Sequence, residues 1–180
     1  MANRRPPPVP TPERLEKAAV RYLERYSAPA EGVRRVLMRA VERAVRAGVA
    51  ERPAAAAAVD AVVGRLVERG LVDDRRFAEG RAASLARRGL PRVRIAQRLQ
   101  LSGVDAADVA GALDELAETG IDDPKSAILF ARRKRLGPYA DPARRAGLRD
   151  RHLATMARAG FALELARRVI DAESPEEFDL

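Results

Sequence analysis

The sequence contains no cysteine and no tryptophan, and its 180 residues include a single histidine, His152. Without cysteine neither a disulfide framework nor a thiolate metal site can form, and one histidine cannot supply a multi-histidine zinc site. Aromatic residues make up only 4% of the chain, whereas β-strands are typically rich in them. No apolar run approaches the roughly 20 residues needed to cross a bilayer. The start, MANRRPPPVPTP, lacks the apolar core of a secretory signal, so a soluble cytoplasmic protein is expected.

The sequence is instead rich in alanine, leucine, valine and arginine. Hydrophobic residues form 47% of the chain, and this Ala- and Leu-rich composition favours closely packed helices over a sheet. Of the 34 basic residues, only Lys17, Lys125 and Lys134 are lysines, and the net charge is +8. A charge of this sign favours an anionic partner, either nucleic acid or something wrapped around it.

Helical start and stop signals recur along the chain. Thr11 followed by Pro12 is typical of a helix start. Three turns, Gly48-Val49, Gly103-Val104 and Gly160-Phe161, each follow a basic helix and precede an apolar-striped one, at intervals of 55 and 57 residues. Repeats that each bury only part of a core must stack on their neighbours.

The predicted fold is therefore all-α, with three tandem three-helix repeats that form an elongated, curved rod, right-handed or superhelical. A proline-rich segment at the start is expected to be disordered, and an acidic tail follows the third repeat. The predicted boundaries are residues 1–12 for the disordered segment, 13–70, 71–120 and 121–172 for the repeats, and 173–180 for the tail.

Two adjacent carboxylates, Asp73 and Asp74, are the first candidates for chemistry. A catalytic carboxylate pair needs a pocket that separates two pKa values. This pair follows Gly70 and precedes an amphipathic helix, where an N-cap and a first-turn anion belong. The same pattern returns at Asp122 and Asp123, which favours helix caps over an active site.

No other pattern in the sequence indicates a reaction. His152 lies among arginines and is predicted to be solvated or to face a partner. The chain has neither a glycine elbow around a serine nor a glycine-rich loop for phosphates. We therefore predict no enzyme, no catalytic residue, no metal site and no cofactor.

Charge is segregated by helix in the second half of the chain. Residues 75–98 contain eight arginines and one acid, residues 99–123 contain seven acids and no base, and residues 124–151 are basic again. A single charged helix usually means a solvated face, but stacked repeats would align the basic helices into one stripe. The predicted partner-binding residues are Arg87, Arg88, Arg92, Arg94, Arg98, Arg132, Arg133 and Arg135. If these are only solvated charges, the surface would lie at Arg34, Arg35 and Arg39 instead.

Three segments resemble the RecX family of recombination regulators. Residues 70–116, GLVDDRRFAEGRAASLARRGLPRVRIAQRLQLSGVDAADVAGALDEL, are similar to that family's central repeat. AVRYLERY, residues 19–26, resembles its opening element, and LATMARAGFALELARRVI, within residues 148–170, resembles its closing element. The resemblance covers about residues 13 to 172.

The resemblance implies an all-helical protein of three three-helix repeats that lies in the groove of the RecA–single-stranded-DNA filament. It implies a protein that inhibits strand exchange, ATP hydrolysis and coprotease activity, and so regulates recombination, DNA repair and the SOS response. A monomer is expected. The alternative from the residues themselves is a basic helical protein that binds single- or double-stranded DNA directly. A weaker alternative is a helical scaffold for an unrelated acidic protein; no membrane partner is predicted.

Overall fold

The computed structural model describes residues 7–178, apart from the side chain of Ala146. Over this range the protein is all-α and contains no β-strand, as predicted. Three short 3₁₀ turns, at Gly137–Tyr139, Ala146–Leu148 and Pro175–Glu177, accompany the α-helices. The α-helices of the described chain are α1 Pro12–Leu23, α2 Ala30–Arg46, α3 Arg52–Glu68, α4 Asp74–Arg87, α5 Arg92–Ser102, α6 Ala106–Glu118, α7 Asp123–Lys134, α8 Pro142–Arg145, α9 Arg149–Ala159 and α10 Leu163–Asp171.

The local helix signals behave as predicted. The Thr11 side chain accepts a hydrogen bond from the Arg14 N–H at the start of α1, which satisfies one of the amide groups that a helix leaves unpaired. The turn glycines Gly48, Gly103 and Gly160 have positive φ angles of 71°, 96° and 101°. Backbone of this conformation ends a helix at little cost only when the residue lacks a Cβ.

One predicted helix is broken in two. The Asp141–Pro142 pair is a helix-start signal and predicts one helix after it, but α8 ends at Arg145 and α9 begins only at Arg149. The intervening 3₁₀ turn contains Gly147, and glycine costs about 1 kcal/mol relative to alanine within a helix. The interruption therefore lies where helix propensity is lowest.

The described chain divides into two compact units. The first runs through Phe77 and includes Ser102–Val104, and the second consists of Ala78–Leu101 with the chain from Asp105 onward. The proposed division into three repeats stays a prediction. Residues 1–6 and 179–180, to which parts of the predicted disordered segment and acidic tail belong, lie outside the described range.

In the first unit, α1, α2 and α3 pack against one another around an aliphatic core. The core side chains recur at helical spacing on each helix, and each is almost completely removed from water, which is the main stabilising contribution to such a bundle. They include Leu15, Val33, Leu37, Val41, Val59, Val62 and Leu66.

In the second unit, α10 packs on both α7 and α9. Its core includes Met156, Phe161 and Val169. A bidentate ion pair joins the start of α9 to the end of α10. The Arg149 guanidinium donates to both carboxylate oxygens of Asp171 at 2.7 Å. Among the described residues, no helix is long and apolar enough to cross a bilayer.

The buried face of α6 differs by one residue from the one that its sequence predicts. The spacing of Val109, Leu113 and Leu116 predicts that all three lie in the core, but the structure buries Ala112 instead of Leu113, which is half-buried. Positions 109, 112 and 116 share one helical face, and Leu113 lies at its edge. Its backbone carbonyl accepts a hydrogen bond from the Arg92 side chain.

Replacing Leu116 with Asp should destabilise the second unit strongly. Leu116 is 4% exposed, so the substitution removes a buried side chain and places a charge in the core, at a cost of about 4 kcal/mol. Chemical denaturation followed by circular dichroism measures this change. Leu101→Asp is the control, since Leu101 is 76% exposed and should lose under about 0.5 kcal/mol. Equal stability of the two variants would contradict the register.

His152 is buried, so the prediction of a solvated or partner-facing side chain was wrong. Only 6% of the residue is exposed, and its Nδ1 atom accepts a hydrogen bond of 3.1 Å from the buried N–H of Gly137. That bond satisfies an amide in the turn after α7. The neighbouring arginines in the sequence indicated a solvated position for His152. Instead, His152 lies with Met156 on the buried face of α9.

Stability should fall as pH drops below about 6.5. Burial, with the charges of Arg151 and Arg145, lowers the pKa of His152 below its ordinary value. The unfolded chain therefore binds a proton more readily, and each pH unit costs at most about 1.4 kcal/mol of unfolding free energy until the folded pKa is passed. His152→Asn keeps an acceptor for Gly137 without titrating. Denaturation at pH 7.5 and 5 should show a larger loss for the unsubstituted protein; equal losses would exclude His152 as the cause.

Candidate functional site

The predicted carboxylate pair joins two helices. Asp73 caps α4, since its Oδ1 atom accepts from the Arg76 N–H at 2.9 Å, as predicted. Asp74 caps a second helix, which the sequence did not predict. Its Oδ1 atom accepts a hydrogen bond from the Ala30 N–H at 2.7 Å, at the start of α2. The pair is thus occupied by backbone amides of two helices, one of them 44 residues away in the chain.

The second carboxylate pair repeats this arrangement. Asp122 caps α7 by accepting from the Lys125 N–H at 2.9 Å, and Asp123 accepts from the Arg92 N–H at 2.8 Å, at the start of α5. In both pairs, the first aspartate caps its own helix and the second caps another. The cap function predicted for the pairs is confirmed. In each pair, one of the two capping bonds joins residues that are distant in sequence.

A sequence signal for the non-local caps exists in hindsight. Both α2 and α5 begin directly after a proline, Pro29 and Pro91, which has no side-chain oxygen to cap a helix. The amino-terminal amides of such helices still need an acceptor. A helix that starts behind proline therefore indicates a cap from elsewhere in the chain, although not which residue supplies it.

The ends of α4 and α7 meet and bring two basic runs together. Gly89, with a φ angle of 77°, is so close to α7 that a Cβ atom there would lie 2.6 Å from the Phe130 nitrogen. The Arg133 guanidinium donates to the Arg88 carbonyl oxygen at 3.3 Å. These contacts place the arginines that end α4 beside those that end α7. We call this set the basic surface: Arg87, Arg88, Arg132, Arg133 and Arg135.

Most guanidinium groups of the basic surface face water. All five residues are exposed. Among these five, only the Arg133 side chain forms a hydrogen bond to another described residue, and none forms an ion pair within the described chain. Basic residues at the carboxyl end of a helix stabilise its dipole by only about 0.3–1 kcal/mol each. The concentration of unpaired positive charge is therefore available to an anionic partner.

The three predicted arginines on α5 belong to a different place. The backbone N–H of Arg92 is bonded to Asp123, at the start of α7. Asp123 is ten residues before Arg133, which corresponds to about 15 Å along the helix. Its side chain is half-buried and donates to the Leu113 carbonyl oxygen at 2.6 Å. Arg98 is exposed but interacts within the chain.

Arg94 is exposed, yet it holds two helices together. Its guanidinium donates to the Arg158 carbonyl oxygen at 3.0 Å, and its side chain lies against Gly160. Arg35 makes the same kind of contact in the first unit, where it donates to the Ser102 carbonyl oxygen at 2.5 Å. Arginines on α2 and α5 thus satisfy the carboxyl ends of other helices.

The alternative surface on α2 is also partly occupied. Arg34 forms an ion pair of 2.7 Å with Asp60, and Arg35 is paired with Glu31. Arg39 is exposed and has no ion pair to a described residue. Two of these three arginines are therefore already engaged by carboxylates within the chain.

Comparisons with known proteins identify relatives of the chain. A family model described as "RecX, second three-helix domain" matches residues 73–113. The chain is 41% identical to the Regulatory protein RecX of Myxococcus xanthus over 163 residues, 90% of this chain and 87% of that protein. It is 34% identical to the Regulatory protein RecX of Halorhodospira halophila, over 66% of this chain and 70% of that protein.

A more distant relative is the Regulatory protein RecX of Agrobacterium fabrum, which is 29% identical over 61% of this chain and 56% of its own length. No solved structure is significantly similar to the chain. Because the likeness to the Myxococcus xanthus protein extends over most of both chains, the protein described here belongs to the RecX family of regulatory proteins.

Proposed function

We propose that the protein modulates the RecA recombinase without catalysing a reaction, mainly as an inhibitor, by binding RecA–single-stranded-DNA filaments. The relatives are named regulatory proteins, and the sequence resembles a family whose members bind RecA. One observation carries the proposal: Gly89 on Phe130 and Arg133 on Arg88 gather the basic ends of α4 and α7 into one exposed cluster. Through it the protein would regulate recombination, DNA repair and the SOS response.

The charge of the basic surface suits a filament. A nucleoprotein filament presents phosphates and acidic side chains at regular intervals, and arginine binds both through bidentate, charge-assisted hydrogen bonds. Four guanidinium groups of the surface are unpaired within the described chain, so binding would not have to break existing ion pairs. This lowers the desolvation and reorganisation cost of association.

The residues that could have suggested catalysis have structural partners. Both carboxylate pairs accept hydrogen bonds from helix amides, and His152 accepts one from Gly137. A general base must be able to reach the proton that it removes, and these groups are engaged by the backbone. This occupation supports a binding role over an enzymatic one.

Replacing Arg87 and Arg132 together with Gln should weaken binding to the RecA filament by roughly a hundredfold. Each lost charge-assisted hydrogen bond costs about 1.5 kcal/mol or more. If both arginines contact phosphate, the slope of log affinity against log salt should fall by about 1.4. Fluorescence anisotropy on preformed filaments measures both quantities, and inhibition of RecA-driven ATP hydrolysis should be lost in parallel.

A matched control is the double replacement of Arg144 and Arg168 with Gln. Both residues are exposed in the second unit and lie outside the basic surface. The control variant has the same net charge as the test variant, so it separates a local contact from general electrostatic attraction. Equal weakening of binding by the two double variants would move the binding surface elsewhere.

Direct DNA binding is the competing function, since unpaired arginines also bind bare phosphates. If RecA contributes to the interface, the protein should bind a filament at least about tenfold more tightly than the same single strand at physiological salt, because non-specific binding by charge alone is weak there. Equal affinity for both would favour the DNA-binding alternative. Competition between filament and bare single- or double-stranded DNA, measured at two salt concentrations, gives the ratio.

A further inference from the structure

The first unit contains a cleft of about 440 Å³ between the segment Pro7–Pro10 and helices α1 and α2. Its walls are mainly apolar, and its rim carries four cationic side chains. Among the described residues that line it, none is acidic. The apolar walls include Pro8, Pro10, Leu15, Ala18 and Ala40, and the rim consists of Arg14, Lys17, Arg21 and Arg43.

The proline segment is held in place as one wall of the cleft. The Val9 carbonyl oxygen accepts from the Thr11 N–H at 3.0 Å and from the Arg14 guanidinium at 3.4 Å. The Arg21 Nε atom donates to the Lys17 carbonyl oxygen at 3.3 Å, one helical turn earlier. Proline rings present apolar faces and have no N–H to satisfy, so the wall and the cations are both positioned by local bonds.

The rim cations form no ion pair within the described chain, and the charge of Lys17 interacts only at longer range with the Glu13 carboxylate, one helical turn earlier. Nearby acids are engaged elsewhere: Glu16 accepts from Arg69 at 2.8 Å, and Glu42, next to Arg43 in sequence, pairs with Arg52 at 2.8 Å. The rim of the cleft is therefore positively charged, and a ligand that binds there would not have to break an ion pair.

We propose that this cleft binds a nucleotide. Its volume is in the range of small-molecule sites, which combine apolar walls with a few polar anchors. Four cations favour a ligand with several negative charges, as in a di- or triphosphate. The proline and alanine surfaces favour a flat, weakly polar ring. A free nucleotide and one unit of a single-stranded nucleic acid share this chemistry. The site is separate from the basic surface and does not rest on the proposed function.

The direct test is isothermal titration calorimetry of the full chain with ADP, inorganic pyrophosphate and a ten-residue oligothymidylate. ADP should bind at least about tenfold more tightly than pyrophosphate, because the ring adds apolar contact. Arg43→Gln should weaken ADP binding about tenfold. Arg39→Gln is the matched control, since Arg39 is one turn away on the same helix, also exposed and without an ion pair, but does not line the cleft.

A second variant tests the apolar wall without changing charge. Ala40 is half-buried and lines the cleft, so Ala40→Leu should fill it and remove most of the preference for ADP over pyrophosphate. Circular dichroism and thermal melting check that this variant folds; if it does not, Ala18→Leu, also half-buried at the cleft, replaces it.

The outcomes distinguish three cases. Tight binding of ADP that depends on Arg43 but not on Arg39 supports a free-nucleotide site, and the same dependence for oligothymidylate alone assigns the cleft to a nucleic acid strand. Equal losses in the Arg43 and Arg39 variants, measurable binding of ADP and pyrophosphate with equal affinity, or no binding of any probe would overturn the proposal. None of these results bears on whether Arg87 and Arg132 bind a filament.

Discussion

The structure depends on carboxylates that cap helices to which they are not connected locally. A helix that begins behind a proline has exposed amides and no side-chain acceptor of its own. Asp74 supplies that acceptor to α2 and Asp123 supplies it to α5, at 2.7 and 2.8 Å. Each bond pins the start of one helix to the start of another, and a charge-assisted bond of this kind is among the stronger ones available to a backbone amide.

The basic surface follows from this constraint. The start of α5 is bonded to Asp123, at the amino end of α7. The five residues from Arg88 to Arg92 therefore run along α7, from a contact near its carboxyl end to a contact at its amino end. Gly89 permits the close approach, since any side chain there would collide with the backbone at Phe130. The end of α4 is therefore carried to the end of α7, and two basic runs more than 40 residues apart in sequence become neighbours.

The arginines have two distinct tasks that composition cannot separate. Arg35 and Arg94 donate to carbonyl groups at the ends of other helices, so they stabilise the fold although they are exposed. Arg87 and Arg132 are also exposed but have no hydrogen bond or ion pair within the described chain. A surface rich in arginine can thus be partly structural, and partner binding is better sought among guanidinium groups that the fold leaves unpaired.

Local signals in the sequence determined the helices: a threonine or aspartate at their starts, a glycine with positive φ at their ends, and apolar residues at helical spacing between them. The motifs of residues 70–116 were also sufficient to indicate the family. Tertiary structure alone decided that Asp74 and Asp123 cap distant helices, that His152 is buried against Gly137 and that Arg94 is a tether. Capping and turn preferences act within a few residues, whereas these bonds join groups 15 to 64 residues apart. Which groups form these bonds depends on how the helices pack. A local sequence pattern does not show which distant residues the packing brings together.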